Sequence, residues 1–357
     1  MEYTPFAAYP NLLLTEFQAG NPPDLLTTPA GGITIYSTYA LGSQGKLLDL
    51  TGSPWGKRMV PVTRKYVTVK NRIYGFPAAV VPSGLLYNID VFKQLGLSVP
   101  KDSAALLTLC QKIKAAGKTP IVLYPSSLGS TVPSNTATAY VYAKDPKWTL
   151  HRIQKKTTFA SSPLWRAGLD ELVTLRDAGC FNSAPAATSQ AAAYQSLANG
   201  QAAMAFGIQS EIPSLQSINP NVHLAVTPYP SLNANDTTGQ LATAQFILSG
   251  AKATAHPKEV KEFIDFFGRP KQDALFAKVA NAIAPDDFNK AILPASAQDY
   301  APYIKAHKTI FSPQADWPRP DKGLYSPGLT AQIAGLFTGQ RTVDQILQNM
   351  DALWDSP

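Results

Sequence analysis

The sequence predicts an α/β protein of about two domains. Its 357 residues exceed the size of one ordinary domain, and 45% of them are hydrophobic, which is enough for a large buried core. Segments with strand character alternate with segments of helical periodicity along the chain. Only 15% of the residues are charged, which argues against a coiled coil or a charged disordered chain.

The first half supplies four strands and a strongly periodic helix. Short apolar runs bounded by glycine or proline predict strands at residues 25–27, 72–76, 84–88 and 119–124, and Pro77 closes the second. A helix is predicted after Ser103, because apolar residues recur at positions 106, 109, 110 and 113 and Gly117 offers a left-handed stop. The succession of strand, helix and strand predicts a βαβ unit with parallel strands.

The second half continues the alternation. Helices are predicted after Ser162-Pro163, near residues 191–197, between Pro257 and Gly268, and over 343–353. Apolar runs predict strands at residues 203–207 and 222–227. Two stretches rich in proline, serine and asparagine, at residues 125–138 and 228–239, are predicted to be loops.

The sequence lacks the common motifs of catalysis and of metal or nucleotide binding. It contains no phosphate-binding loop, dinucleotide fingerprint or nucleophile elbow, and its four histidines are scattered. Cys110 and Cys180 have no metal-ligand spacing, and the sequence leaves open whether they form a disulfide. We therefore expect no metal, no cofactor and no catalytic residue. Two carboxylates converging from distant positions, as in a glycosidase, remain an open alternative.

Charge and aromatic content indicate a binder of small molecules. The net charge is +7, but the basic residues are spread along the chain, so a nucleic-acid interface is not expected. Attraction to anionic ligands stays open. Fifteen tyrosines, fifteen phenylalanines and five tryptophans suit amphipathic ligands such as sugars, because an aromatic face covers C–H groups while polar edges form hydrogen bonds.

A series of short motifs resembles the bacterial extracellular solute-binding proteins of sugar ABC importers, the family of maltose-binding protein. The motifs, in chain order, are GNPPDLL at 20–26, GKLLDL at 45–50, IYGFP at 73–77, GLLYNIDVF at 84–92, LGLSVP at 95–100, ANGQAAM at 198–204, KEVKEFIDFF at 258–267 and GQRTVDQIL at 339–347. Each motif is short, and their order over nearly the whole chain carries the resemblance.

The resemblance implies a two-lobed periplasmic-binding-protein fold with hinge crossings near residues 80–83, 240–244 and after 292. Lobe one is expected to hold residues 1–80 with 243–292, and lobe two residues 81–242 with 293–357. The family opens with a strand and a helix ahead of the point where this sequence starts. We therefore expect the first lobe to lack its opening strand and helix, or to fill the gap with another segment. The first residues also lack the pattern of an export signal.

The resemblance also implies ligand contacts in the cleft between the lobes, where strand ends meet. The candidates are Thr27, Thr28, Ser83, Tyr124, Asn135, Tyr140, Gln209, Glu211, Gln240, Trp317 and Tyr325. Gln209 and Ser210 stand where many family members carry a sugar-stacking tryptophan, so stacking is not expected there. Asp24, Tyr74, Pro77, Tyr87 and Asn88 are interpreted as structural.

The implied function is non-catalytic, extracytoplasmic binding of a carbohydrate by a monomer, followed by delivery to an ABC-importer permease. The protein would be periplasmic or lipid-anchored at the cell surface. Two alternatives remain at this stage. The same fold could bind a phosphorylated or acidic solute, which a bidentate arginine in the pocket would favour. A glycoside hydrolase would need two converging carboxylates.

Overall fold

The computed structural model describes residues 9–356 apart from 33, 60, 234–239, 289, 291, 312 and 319–323. Within these residues the chain forms nine strands and sixteen α-helices. The strands are β1 (Leu25–Thr28), β2 (Thr68–Val69), β3 (Arg72–Ile73), β4 (Phe76–Asn88), β5 (Thr119–Val122), β6 (Ala202–Ile208), β7 (Leu224–Thr227), β8 (Gln240–Gly250) and β9 (Thr309–Phe311).

The helices surround the strands along the whole described chain. They are α1 (Tyr9–Gln18), α2 (Thr38–Ser43), α3 (Pro61–Val67), α4 (Ile89–Gln94), α5 (Ser103–Ala115), α6 (Val132–Ala137), α7 (Trp148–Ile153), α8 (Pro163–Asp177), α9 (Gln190–Ala198), α10 (Ile212–Ile218), α11 (Pro257–Phe267), α12 (Pro270–Val279), α13 (Pro285–Phe288), α14 (Ala301–Lys305), α15 (Thr330–Phe337) and α16 (Val343–Asp355). Among the described residues, no helix combines the length and the apolar character that a membrane span requires.

A long central strand, β4, organises the sheet. The strand order is β1-β8-β4-β6-β5, with β7 also paired to β4 and β9 to β8. The first half of β4 pairs antiparallel with β8, from Phe76 opposite Leu248 to Pro82 opposite Ala242. Its second half pairs antiparallel with β6, beginning at Ser83 opposite Ile208, and with β7. The strand therefore connects two sets of strands, and its change of partner falls between Pro82 and Ser83.

The prediction of two separate strands closed by Pro77 is wrong, because β4 runs unbroken from residue 76 to 88. Pro77 is only the second residue of the strand, where a proline is tolerated. Val80 exchanges both of its backbone hydrogen bonds with Ile283. Backbone N–H groups two residues apart point to the same edge of a strand, so an N–H at position 82 would point toward Ile283, as that of Val80 does, and away from β8. Proline at position 82 therefore costs no hydrogen bond to β8.

The predicted parallel βαβ unit is also wrong. The strands β4 and β5 are not neighbours, because β6 lies between them. β6 runs antiparallel to β4 and parallel to β5, so the parallel pair joins β5 to a strand that comes some eighty residues later. Local patterns predicted strand structure within β4, β5 and β6 but not in β8 or β9, and they carry no information about a later strand inserted between two earlier ones.

The stretch at 125–138 that was predicted as a loop is helical. It contains π-helical turns at Ser127–Thr131 and Thr138–Tyr142 on either side of α6. The Ser130 hydroxyl donates to the Ser126 carbonyl at 2.8 Å, as serine often does within a helix. Leu128 and Val132 are fully buried, so packing overrides the weak local preference for helix. In the other predicted loop, residues 228–233 are irregular and residues 234–239 lie outside the described residues.

The predicted helix ends are confirmed. Side chains of Asp102, Ser162 and Thr342 cap the first turns of α5, α8 and α16 by accepting backbone N–H groups. Gly117 and Gly179 follow α5 and α8 with positive φ, as a left-handed stop requires. The first described strand is β1, preceded by α1. Since residues 1–8 lie outside the described residues, the expected lack of an opening strand and helix, or the filling of that gap by another segment, stays a prediction.

Candidate ligand site at the midpoint of β4

Neutral polar side chains gather where β4 changes its partner. We call this group the crossing cluster; its members are Ser83, Asn135, Gln209, Asn281, Ser296 and Tyr300. They come from β4, α6, the 3₁₀ turn after β6, the segment after α12, and the 3₁₀ turn Ala295–Tyr300. Their hydrogen bonds form two groups, Ser83 with Asn135 and Tyr300, and Gln209 with Asn281 and Ser296. The two groups are adjacent because Ser83 pairs with Ile208, the residue before Gln209. Three of the predicted ligand residues, Ser83, Asn135 and Gln209, therefore belong to the crossing cluster.

Ser83 is the centre of one side of the crossing cluster. Asn135 Nδ2 donates to Ser83 Oγ at 2.9 Å, and the Tyr300 hydroxyl donates to the Ser83 carbonyl at 2.8 Å. All three side chains are buried. Because these bonds satisfy the polar groups internally, they fix the geometry at the midpoint of the strand.

Gln209 is the centre of the other side. The side-chain Nε2 of Gln209 donates weakly to Ser296 Oγ at 3.4 Å. Asn281 Nδ2 donates to the backbone carbonyl of Gln209 at 3.2 Å. Its side chain is fully buried, yet Oε1 has no hydrogen-bond partner within the described part of the chain. An unsatisfied buried acceptor costs about 1–3 kcal/mol. Gln209 Oε1 is thus an acceptor without a protein donor, which a ligand hydroxyl or a water molecule could satisfy.

Glu211 and Tyr124, two further predicted residues, form a second group beside the crossing cluster. Tyr124 donates to Glu211 Oε1 at 3.2 Å, and the Ile208 N–H donates to Oε2 at 3.0 Å. Tyr194 also hydrogen-bonds the carboxyl and packs edge-on against Tyr124, with ring centroids 5.9 Å apart. Burial raises the pKa of Glu211 above its usual value, although the hydrogen bonds from Ile208, Tyr194 and Tyr124 oppose the rise.

Trp317 and Tyr325 lie in a buried group of rings that we call the aromatic cluster: Trp148, Phe159, Trp165, Trp317, Tyr325 and Trp354. Trp317 Nε1 donates to the Tyr142 hydroxyl at 2.7 Å, and the Tyr325 hydroxyl donates to the Ser130 carbonyl at 2.7 Å. The polar edges of both rings therefore have protein partners. A role of either residue in ligand binding remains a prediction.

The remaining predicted residues lie apart from the crossing cluster. The Thr28 hydroxyl bonds with those of Thr38 and Ser249, at 2.6 and 3.3 Å, on the β1 side of the sheet. Thr27 is exposed and exchanges backbone hydrogen bonds with the Tyr9 hydroxyl. Tyr140 is buried, with its ring centroid 6.4 Å from that of Tyr229. Gln240 begins β8, where its backbone pairs with Thr309.

Asn281, Ser296, Tyr300 and Tyr194 were not predicted from the sequence. Asn281 follows α12 with a positive φ of 46°, so its local signal is that of a helix end. Ser296 and Tyr300 lie in a short turn that follows Pro294. The pattern of hydrophobic residues does not distinguish such a turn from an ordinary loop. Only the fold brings these side chains to β4.

The described residues also include a small apolar cavity. Its volume is about 230 Å³, and Pro125, Leu128 and Thr330 line it with neighbouring residues, none of them a predicted ligand residue. No group of three or more histidine, cysteine or carboxylate side chains that could hold a metal is present in the described ranges. The crossing cluster is therefore the better candidate for a polar ligand, because an apolar lining offers few hydrogen bonds.

Comparison with known proteins agrees with this fold. Residues 1–274 match the family model described as bacterial extracellular solute-binding protein. The melibiose/raffinose/stachyose-binding protein MelE of Bacillus subtilis (strain 168) is 24% identical over 282 residues, which cover 73% of this chain and 61% of MelE. The multiple sugar-binding protein of Streptococcus mutans serotype c is 21% identical over 267 residues, covering 71% and 60%. The chain thus spans about three fifths of the length of these curated relatives.

Solved structures share the fold over nearly the whole chain. A sugar transporter from Bacillus licheniformis in complex with stachyose has a TM-score of 0.75 at 18% identity, covering 98% of this chain and 89% of that one. The binding protein RafE in complex with raffinose has a TM-score of 0.76 at 20% identity, covering 99% and 90%. At this level of identity the likeness establishes the α/β fold of solute-binding proteins, which the sequence motifs predicted.

Proposed function

The chain belongs to the family of bacterial extracellular solute-binding proteins, and from that membership we propose that it binds a carbohydrate between two lobes and delivers it to the permease of an ABC importer. The family match is the observation that carries the proposal. The sugar class follows from the curated relatives, whose names assign them melibiose, raffinose, stachyose or multiple sugars. We propose a neutral oligosaccharide of this kind as the ligand.

The chemistry of the crossing cluster supports a neutral ligand. Its six side chains are hydroxyls and amides, none of which carries a formal charge at neutral pH. Gln209 Oε1 offers an acceptor to a sugar hydroxyl. A phosphorylated or acidic solute would need cationic donors in place of these groups. Of the residues predicted from the sequence, we propose Ser83, Asn135, Gln209 and Glu211 as the main ligand contacts.

We propose that the two lobes meet along β4 and β8. The lobes would comprise residues 1–80 with 243–292 and residues 81–242 with 293–357. The change of partner in β4 after Pro82 lies at the proposed first crossing. Ligand binding would then shift the chain toward a closed arrangement, as far as the ligand binds that arrangement more tightly.

We propose that the chain does not alter its ligand and acts outside the cytoplasm as a monomer. Glu171, Glu211 and Asp299 have raised pKa values, in each case mainly through burial. Each carboxyl takes its hydrogen bonds from hydroxyl or backbone N–H groups, and the three have different partners. A hydrolase would instead pair two carboxyls about 5–10 Å apart across the cleft.

Titration calorimetry of the full chain tests the proposal directly. Melibiose, raffinose and stachyose are titrated beside glucose 6-phosphate, which probes the acidic-solute alternative. We expect saturable binding of at least one neutral oligosaccharide at one site per chain, with the sugar recovered unchanged by chromatography. Binding of the phosphate alone, or hydrolysis of the sugar, would contradict the proposal.

A pair of glutamine variants then locates the site. We expect Gln209→Ala to weaken sugar binding about 10–100-fold, because a hydrogen bond to a buried acceptor contributes about 1–3 kcal/mol. Gln111→Ala, on the exposed face of α5, is the matched control and should leave the affinity unchanged. Equal affinities of both variants, with unchanged melting temperatures, would remove Gln209 from the site.

A further inference from the structure

The only two cysteines of the chain lie in one buried core. Cys110 and Cys180 are both free and fully buried. Cys110 lies on α5, in the apolar stripe with Leu106, Leu109 and Ile113. Cys180 follows α8 and Gly179, and its carbonyl accepts the Ile121 N–H of β5 at 2.9 Å. Both residues therefore belong to elements that pack around β5.

Neighbouring contacts bring the same two segments together. Lys114 lies one turn after Cys110 on the same face of α5, since residues four apart share a helix face. Its Nζ donates to the Ala178 carbonyl at 3.2 Å, and a Cβ built on Gly179 would lie 2.4 Å from that Nζ. This face of α5 thus packs against the chain immediately before Cys180.

The two thiols are direct neighbours. The side chains of Cys110 and Cys180 hydrogen-bond each other, and this contact, together with burial, raises the pKa of Cys110. The Glu171 carboxyl interacts electrostatically with Cys110, but the described residues contain no group of three side chains that could hold a metal. The two thiols therefore face each other in one core, between segments that the Lys114–Ala178 contact holds together, and they lack the further ligands of a metal site.

We propose that Cys110 and Cys180 form a disulfide when the chain folds in an oxidising compartment. The oxidant is a disulfide, either a small one such as glutathione disulfide or that of a thiol oxidoreductase. One cysteine thiolate attacks the oxidant and releases one thiol; the second cysteine then attacks the mixed disulfide and releases the other. The two cysteines lose two electrons and two protons, and one disulfide of the oxidant is reduced to two thiols.

The timing of this reaction follows from burial. Neither thiol is accessible in the folded chain, so exchange takes place while the core is still open. An extracytoplasmic location, which belongs to the proposed function, supplies the oxidising conditions. The proximity of the thiols is independent of that proposal. Cytoplasmic chain would keep both thiols reduced, so the bond would mark protein that has been exported.

The bond would stabilise the α5–β5–α8 region. The residue numbers differ by 180 − 110 = 70, so the bond would close a loop of 70 residues and restrict the unfolded chain accordingly. We expect the oxidised chain to melt roughly 5–10 °C above the reduced chain. We also expect sugar affinity to be nearly unchanged, because neither cysteine belongs to the crossing cluster.

Refolding under two redox conditions tests the proposal. Full-length chain is unfolded and reduced, then refolded either in a glutathione–glutathione disulfide mixture or in dithiothreitol. Free thiols are labelled with a maleimide in denaturant and counted by intact mass. We expect no labelled thiol after glutathione refolding, two after dithiothreitol, and a reducible tryptic cross-link joining the peptides of Cys110 and Cys180. Two labelled thiols in both samples, or cross-links between chains, would overturn the proposal.

The double variant Cys110→Ala/Cys180→Ala is the control for stability. Its melting temperature should be the same under both conditions, whereas that of the natural sequence should rise on oxidation. Equal melting temperatures of the natural sequence in the two conditions would overturn the stabilising role. Thiol counting needs no ligand, so failure of this proposal is distinguishable from failure of sugar binding.

Discussion

Glu211 shows how one side chain serves both the local fold and the candidate site. Its Oε2 accepts the Ile208 N–H at the start of the turn Gln209–Glu211 and so caps that turn. Its Oε1 accepts the hydroxyl of Tyr124, which lies just after β5. Despite these bonds, burial raises the pKa of Glu211, so the loss of water outweighs the hydrogen bonds.

The raised pKa of Glu211 predicts a pH dependence of stability. An unfolded glutamate titrates near pH ~4.3. Above that pH the unfolded chain releases this proton before the folded chain does. The contribution of Glu211 to the free energy of unfolding is therefore fully present below the pKa that Glu211 has in the unfolded chain. It is lost as the pH rises through the pKa that Glu211 has in the folded chain. Glu211→Gln has no such loss. The free energy of unfolding of this variant, minus that of the natural sequence, should therefore increase from pH 4 to pH 7.

Urea titrations at pH 4, 5, 6 and 7 measure this difference. Glu262→Gln, at an exposed position of α11, controls for the removal of one negative charge. A constant difference between Glu211→Gln and the natural sequence across this range would contradict the assignment.

At the residue scale, sequence motifs located only part of the candidate site. Gln209 directly follows β6 and Ser83 lies between two motifs that meet within β4, so the sequence could place both residues at the sheet. Asn281 and Ser296 have only the local signals of a helix end and a turn, yet both hydrogen-bond Gln209. The residues that complete the crossing cluster become neighbours through the pairing of Val80 with Ile283, which no local pattern encodes.

At the scale of elements, β4 carries the most specific requirement. Thirteen residues pass from one set of strands to the other, and nearly all of them are buried. Gly84 lies directly after the change of partner. A Cβ at this position would lie 2.0 Å from the Thr227 carbonyl oxygen of β7 and 2.6 Å from the Tyr300 hydroxyl. Only glycine lets β7 and Tyr300 approach the strand this closely.

Gly84→Ala is therefore expected to destabilise the fold by roughly 1–3 kcal/mol, because β7 or Tyr300 must move to admit the methyl group. The midpoint of urea unfolding measures the loss. Gly129→Ala is the control, since its Cβ would have no neighbour closer than the Thr330 Cβ at 3.9 Å. We expect that variant to be neutral or slightly stabilised. A Gly84→Ala midpoint equal to the Gly129→Ala midpoint would show that β7 does not approach β4 as described.

Helices were easier to predict than strand pairing. The capping residues of α5, α8 and α16 lie within three positions of the N–H groups that they accept, so the sequence displays the whole interaction. The place of β6 between β4 and β5 depends on contacts more than eighty residues apart. The helical segment at 127–142 was missed because its serines, threonines and proline favour turns, and only buried contacts such as that of Val132 outweigh them.

At the scale of the molecule, two large hydrophobic cores cover most of the described chain, and the lobe division stays a prediction. The C-terminal helices α15 and α16 pack with α8 in one hydrophobic core, and Arg152 of α7 bonds Asp355 at 2.7 Å and faces the ring of Trp354. β9, in contrast, pairs with β8, and Phe311 belongs to a second core with Phe76 and Ile264. The segment after residue 292 thus contacts both sets of strands, as expected of a crossing that a hinge would bend.

This arrangement predicts that ligand binding makes the molecule more compact. A compact chain of 357 residues has a radius of gyration of about 20 Å, and two lobes held apart by an open cleft exceed that value. We expect small-angle X-ray scattering to give a larger radius without ligand, and a decrease toward about 20 Å when the tightest-binding sugar from calorimetry is saturating. The same sugar concentration should leave the scattering of Gln209→Ala nearly unchanged, because that variant would be mostly unliganded. If calorimetry shows saturation of the natural sequence while its scattering stays the same, β4 and β8 do not act as a hinge and the ligand binds a cleft that is already closed.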